Sequence, residues 1–171
     1  MNLKQYLAAG LLILSAGITD LYATNPKENR NNMEKLTLTK EWDKTFPKSD
    51  KVDHSKVTFV NRYGITLAAD MYKPKGATGK LPAIAVCGPF GAVKEQAAGL
   101  YAQAMAERGF LTIAFDPSFT GESGAKPRSM TSPDLNTEDF SAAVDFLVTN
   151  PDVDPEKVGI IGICGWGGIA I

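Results

Sequence analysis

The sequence predicts an α/β fold, in which a mostly parallel, doubly wound sheet follows an N-terminal antiparallel hairpin. Three observations predict it: short uninterrupted apolar runs alternate with segments of helical periodicity, an apolar/polar alternation precedes them, and turn residues close each run. Because a strand, a helix and a second parallel strand form a right-handed unit, this order indicates a sheet covered by helices on both faces.

The composition indicates a domain that acts on small molecules. The chain has 171 residues, 44% hydrophobic and 22% charged, with a formal net charge of -1. Its 18 basic residues are interspersed with 19 acidic ones, so the basic surface that nucleic-acid binding requires is not expected. We therefore expect a small-molecule substrate and no nucleic-acid partner, and the oligomeric state stays open.

Residues 1–23 have the pattern of a secretory signal peptide. Lys4 precedes an apolar stretch over residues 6–18, and Ala23 ends a plausible cleavage site. The stretch is shorter than the ~20 residues that a membrane-spanning helix needs, and a retained anchor is the alternative. We expect a periplasmic or secreted protein with no membrane attachment after cleavage.

The predicted folded domain occupies residues 51–171 and follows a polar leader. The leader, residues 24–50, is expected to become ordered around Trp42 and Phe46. Alternating apolar residues on both sides of a turn at 61–64 then predict two strands in a hairpin. These residues are Val57, Phe59, Ile65, Leu67, Ala69 and Met71.

The first strand-helix unit begins at Leu81–Cys87, whose continuous apolar run predicts a strand buried on both faces. A crossover helix should follow it and stop at Gly109 in a left-handed turn. The face of this helix expected to pack on the sheet consists of Ala97, Leu100, Tyr101, Ala104 and Met105.

The second unit begins with a buried strand at Phe110–Phe115, followed by a long Gly-, Ser- and Pro-rich loop. Asn136 is expected to cap the next helix, and Val158–Ile163 predicts a third buried strand. Ligands of parallel sheets bind beyond the carboxyl ends of the strands. The loops expected to meet there are 87–92, 116–128 and 164–168.

The most specific motif is Gly162-Ile163-Cys164-Gly165-Trp166-Gly167-Gly168, between a buried strand and the start of a helix. This is the context of the G-x-S-x-G turn that presents a nucleophile, and the helix N-terminus would stabilise a thiolate or an oxyanion. Trp166 departs from the pattern, which favours a small residue there. An inert cysteine at the end of a core strand is the alternative interpretation.

Acyl transfer at Cys164 would need N–H donors for the developing oxyanion. Gly165 is the first candidate because it follows the nucleophile. Phe90 is the second because Pro89 lacks an N–H group. The alternative is that Gly88–Gly91 is only a tight turn. This chemistry implies neither a metal nor an organic cofactor.

The two cysteines and the glycines leave further alternatives. Cys87 and Cys164 could form a disulfide after export or remain separate thiols. The glycine-rich turn is also similar to a dinucleotide-binding motif, but Cys164 stands where that motif requires its second glycine.

Three other polar residues, Asp116, Ser123 and His54, are expected to have non-catalytic roles. Asp116 and Ser123 are interpreted as loop-shaping or substrate-lining residues, because Asp116 ends a strand that precedes the nucleophile and no base is expected beside Ser123. His54, the only histidine, is expected to be a solvated surface residue and not a general base.

Several motifs in order resemble one family. Residues 88–96, Asp116 with Gly121–Gly124, and 162–165 are similar to the successive motifs of α/β-hydrolases related to dienelactone hydrolases. That group extends to polyketide-transferase-like and Xaa-Pro dipeptidyl-peptidase-like hydrolases, and the similarity covers the chain from about Trp42. It implies an α/β-hydrolase fold that cleaves ester, thioester, lactone or related acyl substrates, with Cys164 as the nucleophile.

The resemblance also implies a catalytic acid and a histidine that follow the nucleophile in chain order. Neither follows Cys164 here. We therefore expect the N-terminal part of a hydrolase domain, truncated after the nucleophile turn and inactive alone, with a last strand that lacks an outer neighbour. The alternative is a non-catalytic truncated gene product. Gly88 stands where many members of the group have a histidine before the proline.

Overall fold

Five strands form one sheet in the computed structural model, which describes residues 34–170. The expected signal peptide and residues 24–33 of the leader lie outside the described residues. The strands are β1 (Val52–Val60), β2 (Thr66–Pro74), β3 (Leu81–Cys87), β4 (Leu111–Phe115) and β5 (Val153–Gly162).

The strand order in the sheet is β1-β2-β4-β3-β5. β1 pairs with β2 and β2 with β4 in antiparallel register, whereas β3 runs parallel to both β4 and β5. The predicted α/β fold with an N-terminal antiparallel hairpin is confirmed. Within the described residues the sheet is mixed, because the parallel part is limited to β4, β3 and β5.

Two helices cover opposite faces of the sheet, α1 (Ala97–Ala106) and α2 (Pro133–Val148). Strand β3 contributes to both cores: Ala83, Ala85 and Cys87 pack in the cluster that includes α2, and the residues between them pack with α1. Since alternate residues of a strand point to opposite faces, this confirms the prediction that β3 is buried on both sides.

The buried face of α1 differs from the predicted one. Leu100 and Tyr101 are 48% and 52% exposed, whereas Ala98, Ala102 and Ala106 are completely buried. The alanines allow the helix axis to approach the sheet closely, and larger side chains would not fit there. The predicted stop is confirmed, because Gly109 has a φ of +101° directly after the helix.

Helix α2 begins earlier than predicted. Ser132 is the N-cap residue and Pro133 occupies the first helical position, where its fixed φ and missing N–H are tolerated. Asn136 is therefore inside the first turn and buried, and is not the cap. Its side chain still serves the helix start, because its Oδ1 accepts a hydrogen bond from the Ser132 N–H at 2.9 Å.

The expectation that the third parallel strand is buried on both faces is wrong for the described residues. Strand β5 pairs with β3 alone within residues 34–170, and Ile160 is 37% exposed. An edge strand has one neighbour, so its outer side chains gain no cover from the sheet. The expectation that this strand lacks an outer neighbour agrees with the same observation.

The segment that precedes β1 packs on the domain. Phe46 is buried in the core beside α1, and Trp42 meets its ring edge-on at 5.7 Å. Both residues lie where the leader was expected to become ordered. No helix in the described part of the chain is long and apolar enough to cross a membrane.

Candidate functional site

The loops after β3, β4 and β5 lie at one edge of the sheet because these strands are parallel. The carboxyl ends of β3 and β5 are directly adjacent: Cys87 is in register with Gly162, and the Ile163 N–H donates to the Cys87 carbonyl at 3.1 Å. The next residue is Cys164. The topology therefore brings the loop at 88–92 beside the turn at 162–165, which we call the cysteine turn, as the sequence predicted.

Cys164 is exposed and is the first residue of the short 3-10 helix Cys164–Gly168, and Ile163 alone separates it from the end of β5. Its φ is +60°, in the left-handed region that non-glycine residues rarely adopt. Such backbone costs on the order of 1–3 kcal/mol and is concentrated at functional sites. The thiol thus projects from a strained turn, and not into the core as the alternative interpretation required.

The cysteine turn is tight because the chain folds back on Gly162. A Cβ atom at this position would lie 2.6 Å from the carbonyl carbon of Trp166 and 2.8 Å from the Gly167 nitrogen. Such separations are well inside van der Waals contact, so only glycine allows the turn to close without a backbone shift.

Trp166 points away from the cysteine turn into the core, where it is buried. Its ring meets Phe90 edge-on at 4.5 Å and lies 6.1 Å from Phe140 of α2. A large residue is therefore tolerated at the position where the motif favours a small one. The buried Trp166 ring anchors the 3-10 helix in the core and does not obstruct Cys164.

The two residues that were predicted to supply the oxyanion donors are in contact through the Phe90 ring. The Phe90 ring packs on Gly165 so closely that a Cβ atom at Gly165 would lie 2.6 Å from Phe90 Cδ2. Phe90 is 49% exposed. Among the described residues, the N–H groups of Phe90 and Gly165 donate no hydrogen bond. A tight turn is also present, since the Ala92 N–H donates to the Pro89 carbonyl at 3.0 Å.

The two cysteines are separate free thiols in very different surroundings. Cys87 is buried at the end of β3, whereas Cys164 is exposed. Burial raises the pKa of the Cys87 thiol well above its usual value, and the negative charges of Asp116 and Asp139 raise it further. The disulfide considered from the sequence is not formed.

We expect iodoacetamide at pH 8 to alkylate Cys164 about 100-fold or more faster than Cys87. The thiolate is the reactive form, and the buried, high-pKa Cys87 forms very little of it. Peptide mass spectrometry at timed intervals gives both rates on the same chain. Equal rates under native conditions would contradict the exposure difference, and equal rates in denaturant are the internal control.

His54 is not a solvated surface residue, so that expectation is wrong. Its Nε2 lies 2.8 Å from Asp70 Oδ1, and its ring lies 5.2 Å from that of Trp42 and 5.1 Å from that of Tyr72. The residue alternation within β1 could not predict that His54 is covered, because the covering residue Trp42 lies outside this strand.

His54 is also far from Cys164. It is on β1, four strand spacings from β5, which corresponds to about 19 Å across the sheet. Its partner Tyr72 pairs with Thr112 near the start of β4, so His54 lies toward the amino edge, opposite the thiol. The imidazole therefore cannot act as the base for Cys164 in this structure.

A buried charge cluster next to the site was missed by the sequence reasoning. The side chain of Lys94 is fully buried, and its Nζ lies 2.5 Å from Glu95, 2.9 Å from Asp116 and 2.7 Å from Glu122. We call these four residues the Lys94 cluster. Its signal in the sequence was the pair of motifs at 88–96 and 116–124, in which Lys94, Glu95 and Glu122 received no role.

Lys94 and Glu122 keep their charges in the cluster because each is paired with groups of opposite charge. Burial by itself would lower the pKa of Lys94, but the Asp116 charge and the hydrogen bonds with Glu122 and Glu95 raise it above its usual value. Burial would raise the pKa of Glu122, yet hydrogen bonds from Lys56 and Lys94 lower it to about 2. Lys94 and Glu122 are thus charged across the physiological pH range, whereas burial raises the pKa of Asp116 above its usual value.

Asp116 and Ser123 shape the loop after β4. Both are buried, so neither is placed to line a substrate. Asp116 accepts backbone N–H groups from Lys94 at 2.8 Å and Glu122 at 2.9 Å. The Ser123 hydroxyl donates to the Asp116 carbonyl and accepts the Ala68 N–H, which ties the loop to β2.

Asp139 fixes the same loop from α2. It is completely buried and accepts four hydrogen bonds of 2.7–2.9 Å, two from Ser118 and one each from Asn61 and Asn136. Four donors can hold a buried carboxylate without a cation. Residues 34–170 contain no group of three or more His, Cys, Asp or Glu side chains placed to bind a metal ion.

Comparison with known proteins shows similarity to one hydrolase family. The profile of the X-Pro dipeptidyl-peptidase family (S15) matches residues 63–171. The thiohydrolase aneE of Aspergillus aculeatus is 33% identical over 72% of this chain and 38% of its own length. A dienelactone hydrolase structure from Klebsiella pneumoniae, 21% identical with a TM-score of 0.56, covers 68% of this chain and 51% of its own and supports the fold.

The uncharacterized protein PA2218 of Pseudomonas aeruginosa is 62% identical over 96% of this chain and 45% of its own length. Its crystal structure superposes with a TM-score of 0.78 over 80% of this chain and 43% of that chain. The chain therefore spans less than half the length of the curated relatives it matches.

Proposed function

Because this chain belongs to the X-Pro dipeptidyl-peptidase family (S15) and has the α/β-hydrolase fold, we propose that it carries the nucleophile of an acyl hydrolase. The substrate class is an ester, thioester, lactone or related acyl compound. The observation that supports this most directly is the exposed Cys164 thiol at a φ of +60° between β5 and a helical turn.

In the proposed reaction the Cys164 sulfur attacks the acyl carbonyl carbon and the C=O electron pair moves to oxygen. The N–H groups of Gly165 and Phe90 stabilise that oxyanion, and each such donor contributes on the order of 10²–10³ in rate in comparable enzymes. Collapse of the intermediate expels the alcohol or thiol and leaves a thioester on Cys164. Attack by water then releases the acid and restores the thiol.

The second half of the reaction is expected to be slow in this polypeptide. Activation of the attacking water needs a general base, and the only histidine in the sequence is on the far side of the sheet. The resemblance implies an acid and a histidine after the nucleophile, which the longer relatives have room to supply. We therefore infer that this chain can be acylated but turns over negligibly.

The test is the reaction of the 171-residue chain with p-nitrophenyl acetate. We expect about one equivalent of nitrophenolate per chain, no fast steady state, and an acetyl group on Cys164 by mass spectrometry. Cys164→Ala should abolish the burst, whereas Cys87→Ala should retain it. A burst that survives Cys164→Ala would overturn the assignment of Cys164 as the nucleophile. Rapid turnover that requires Cys164 would overturn the inference that this chain turns over negligibly.

Two alternatives are less favoured by the same observations. A dinucleotide-binding domain would need a close backbone approach where Cys164 has its side chain. A truncated, non-catalytic product would show no acylation above that of a small-molecule thiol. The periplasmic or secreted location rests on residues 1–23 alone and stays a prediction, which fractionation of cells expressing a tagged chain can test.

A further inference from the structure

We propose that Lys94 is a positioning residue for acyl transfer: it fixes the loop at 88–94 so that the Phe90 N–H stays beside Gly165. The inference rests on the proposed function and adds a residue that acts on the oxyanion donors. Lys94 is buried and does not reach substrate, so its effect must pass through the loop.

Lys94 is fixed by its backbone as well as its side chain. Its N–H donates to Asp116 Oδ1 at 2.8 Å, and its Nζ lies 2.9 Å from Oδ2 of the same carboxylate. One carboxylate at the end of β4 therefore holds both ends of the lysine. This arrangement joins the loop after β3 to the loop after β4.

Glu122 extends the connection to the segment before β1. It accepts hydrogen bonds from Lys94 and Lys56 at 2.7 Å each, and from the Thr39 N–H at 2.6 Å. The close approach of the loop requires Gly121, where a Cβ atom would lie 2.6 Å from Asp116 Oδ1. The three segments are thus linked through the Lys94 ammonium and the Glu122 carboxylate.

Only a short stretch of chain separates this anchor from the oxyanion donor. The stretch starts at the end of β3, where Cys87 is held in the sheet, and passes through the turn closed by Pro89 and Ala92. Its other end is Lys94. Removing the ammonium would leave only the Lys94 N–H to hold this end of the loop, so the loop would loosen while β3 and the cysteine turn stay in place.

Burial of an ammonium and its carboxylates costs several kcal/mol before pairing, so a charge cluster is a poor way to gain stability alone. The charge cluster instead specifies one conformation, because the buried Lys94 ammonium is stabilised only where the three carboxylates surround it. Apolar packing at position 94 would stabilise the fold as well but would not specify the loop conformation. We infer that the cluster specifies the position of Phe90.

Lys44 provides a matched control. Its side chain is also fully buried and its Nζ pairs with Asp70 at 2.9 Å and Asp43 at 2.5 Å. These partners belong to β2 and the segment before β1, and not to the loop at 88–94. Asp43 reaches the Lys94 cluster only indirectly, through Lys56, which pairs with Glu122 at 2.7 Å. Lys44→Met should therefore cost similar stability without displacing Phe90.

The experiment compares two reactions of Cys164 in the full chain. Alkylation by iodoacetamide needs no oxyanion donor, whereas acylation by p-nitrophenyl acetate does. Lys94→Met should lower the acylation rate about tenfold or more and change the alkylation rate by less than about twofold. Lys44→Met should leave the ratio of the two rates unchanged. Thermal unfolding identifies variants that are folded at the assay temperature.

If Lys94→Met does not fold, Glu122→Gln tests the positioning role in its place. This variant removes one carboxylate charge and should lower the ratio of the acylation rate to the alkylation rate about threefold. An unchanged ratio in the folded Lys94 variant, or an equal fall in Lys44→Met, would overturn the positioning role. A wild-type chain that is alkylated but never acylated would overturn the proposed function, and this inference with it. The two failures are therefore distinguishable.

Discussion

Gly162→Ala is expected to lower the acylation rate of Cys164 about 100-fold and to destabilise the fold by about 2–4 kcal/mol. The added methyl group would overlap the backbone of Trp166 and Gly167. Backbone atoms cannot move aside as a side-chain end can, so the cysteine turn must open. Rates of nitrophenolate release and urea unfolding of the same variant measure both effects.

Gly159→Ala is the matched control for this prediction. Gly159 lies in the same strand, and a Cβ atom there would contact nothing within 4 Å. We expect unchanged acylation and equal or slightly higher stability, because alanine has less conformational freedom to lose than glycine. Equal loss of acylation in the two variants would show that β5 as a whole, and not the tight turn, controls the thiol.

Asp139→Ala is expected to lower the free energy of unfolding by about 3–5 kcal/mol. The substitution leaves the buried donors of Asn61, Ser118 and Asn136 without their acceptor, and each unpaired buried group costs about 1–3 kcal/mol, offset in part by water entry. Urea unfolding followed by circular dichroism measures the loss.

Asp145→Ala on the same helix tests whether the loss comes from the buried network. Asp145 is exposed, so its removal should change the free energy of unfolding by less than about 0.5 kcal/mol. Asp139→Ala should also increase proteolysis within residues 117–132, since Ser118 loses its link to α2. A cost below 1 kcal/mol for Asp139→Ala would contradict the role assigned to the network.

The placement of the candidate nucleophile shows what could be predicted from the sequence. Cys164 was placed between a strand and a helical turn because the apolar run and the glycines are local signals. The pairing of Gly165 with Phe90 followed from the hydrolase nucleophile motif, which takes its oxyanion donors from the residue after the nucleophile and from the loop after the third strand. These inferences require only local patterns and a known motif.

Other residues of the site could not be predicted in this way. The sequence did not show that Trp166 turns into the core, because that depends on space beside Phe90 and Phe140. The packing face of α1 was wrong for a related reason: hydrophobicity favoured Leu100 and Tyr101, but the close approach to the sheet admits only small residues.

The sequence by itself determined the order of strands and helices, the hairpin at the start of the sheet and the glycine-bounded turn that holds Cys164. Only the tertiary structure decided that Lys94 is buried among Asp116 and Glu122, which are 22 and 28 residues away, and that His54 is covered by Trp42. Local structure follows from periodicity over a few neighbouring residues. Burial of a charge depends on partners that the folded chain brings from distant positions, and no local pattern specifies them.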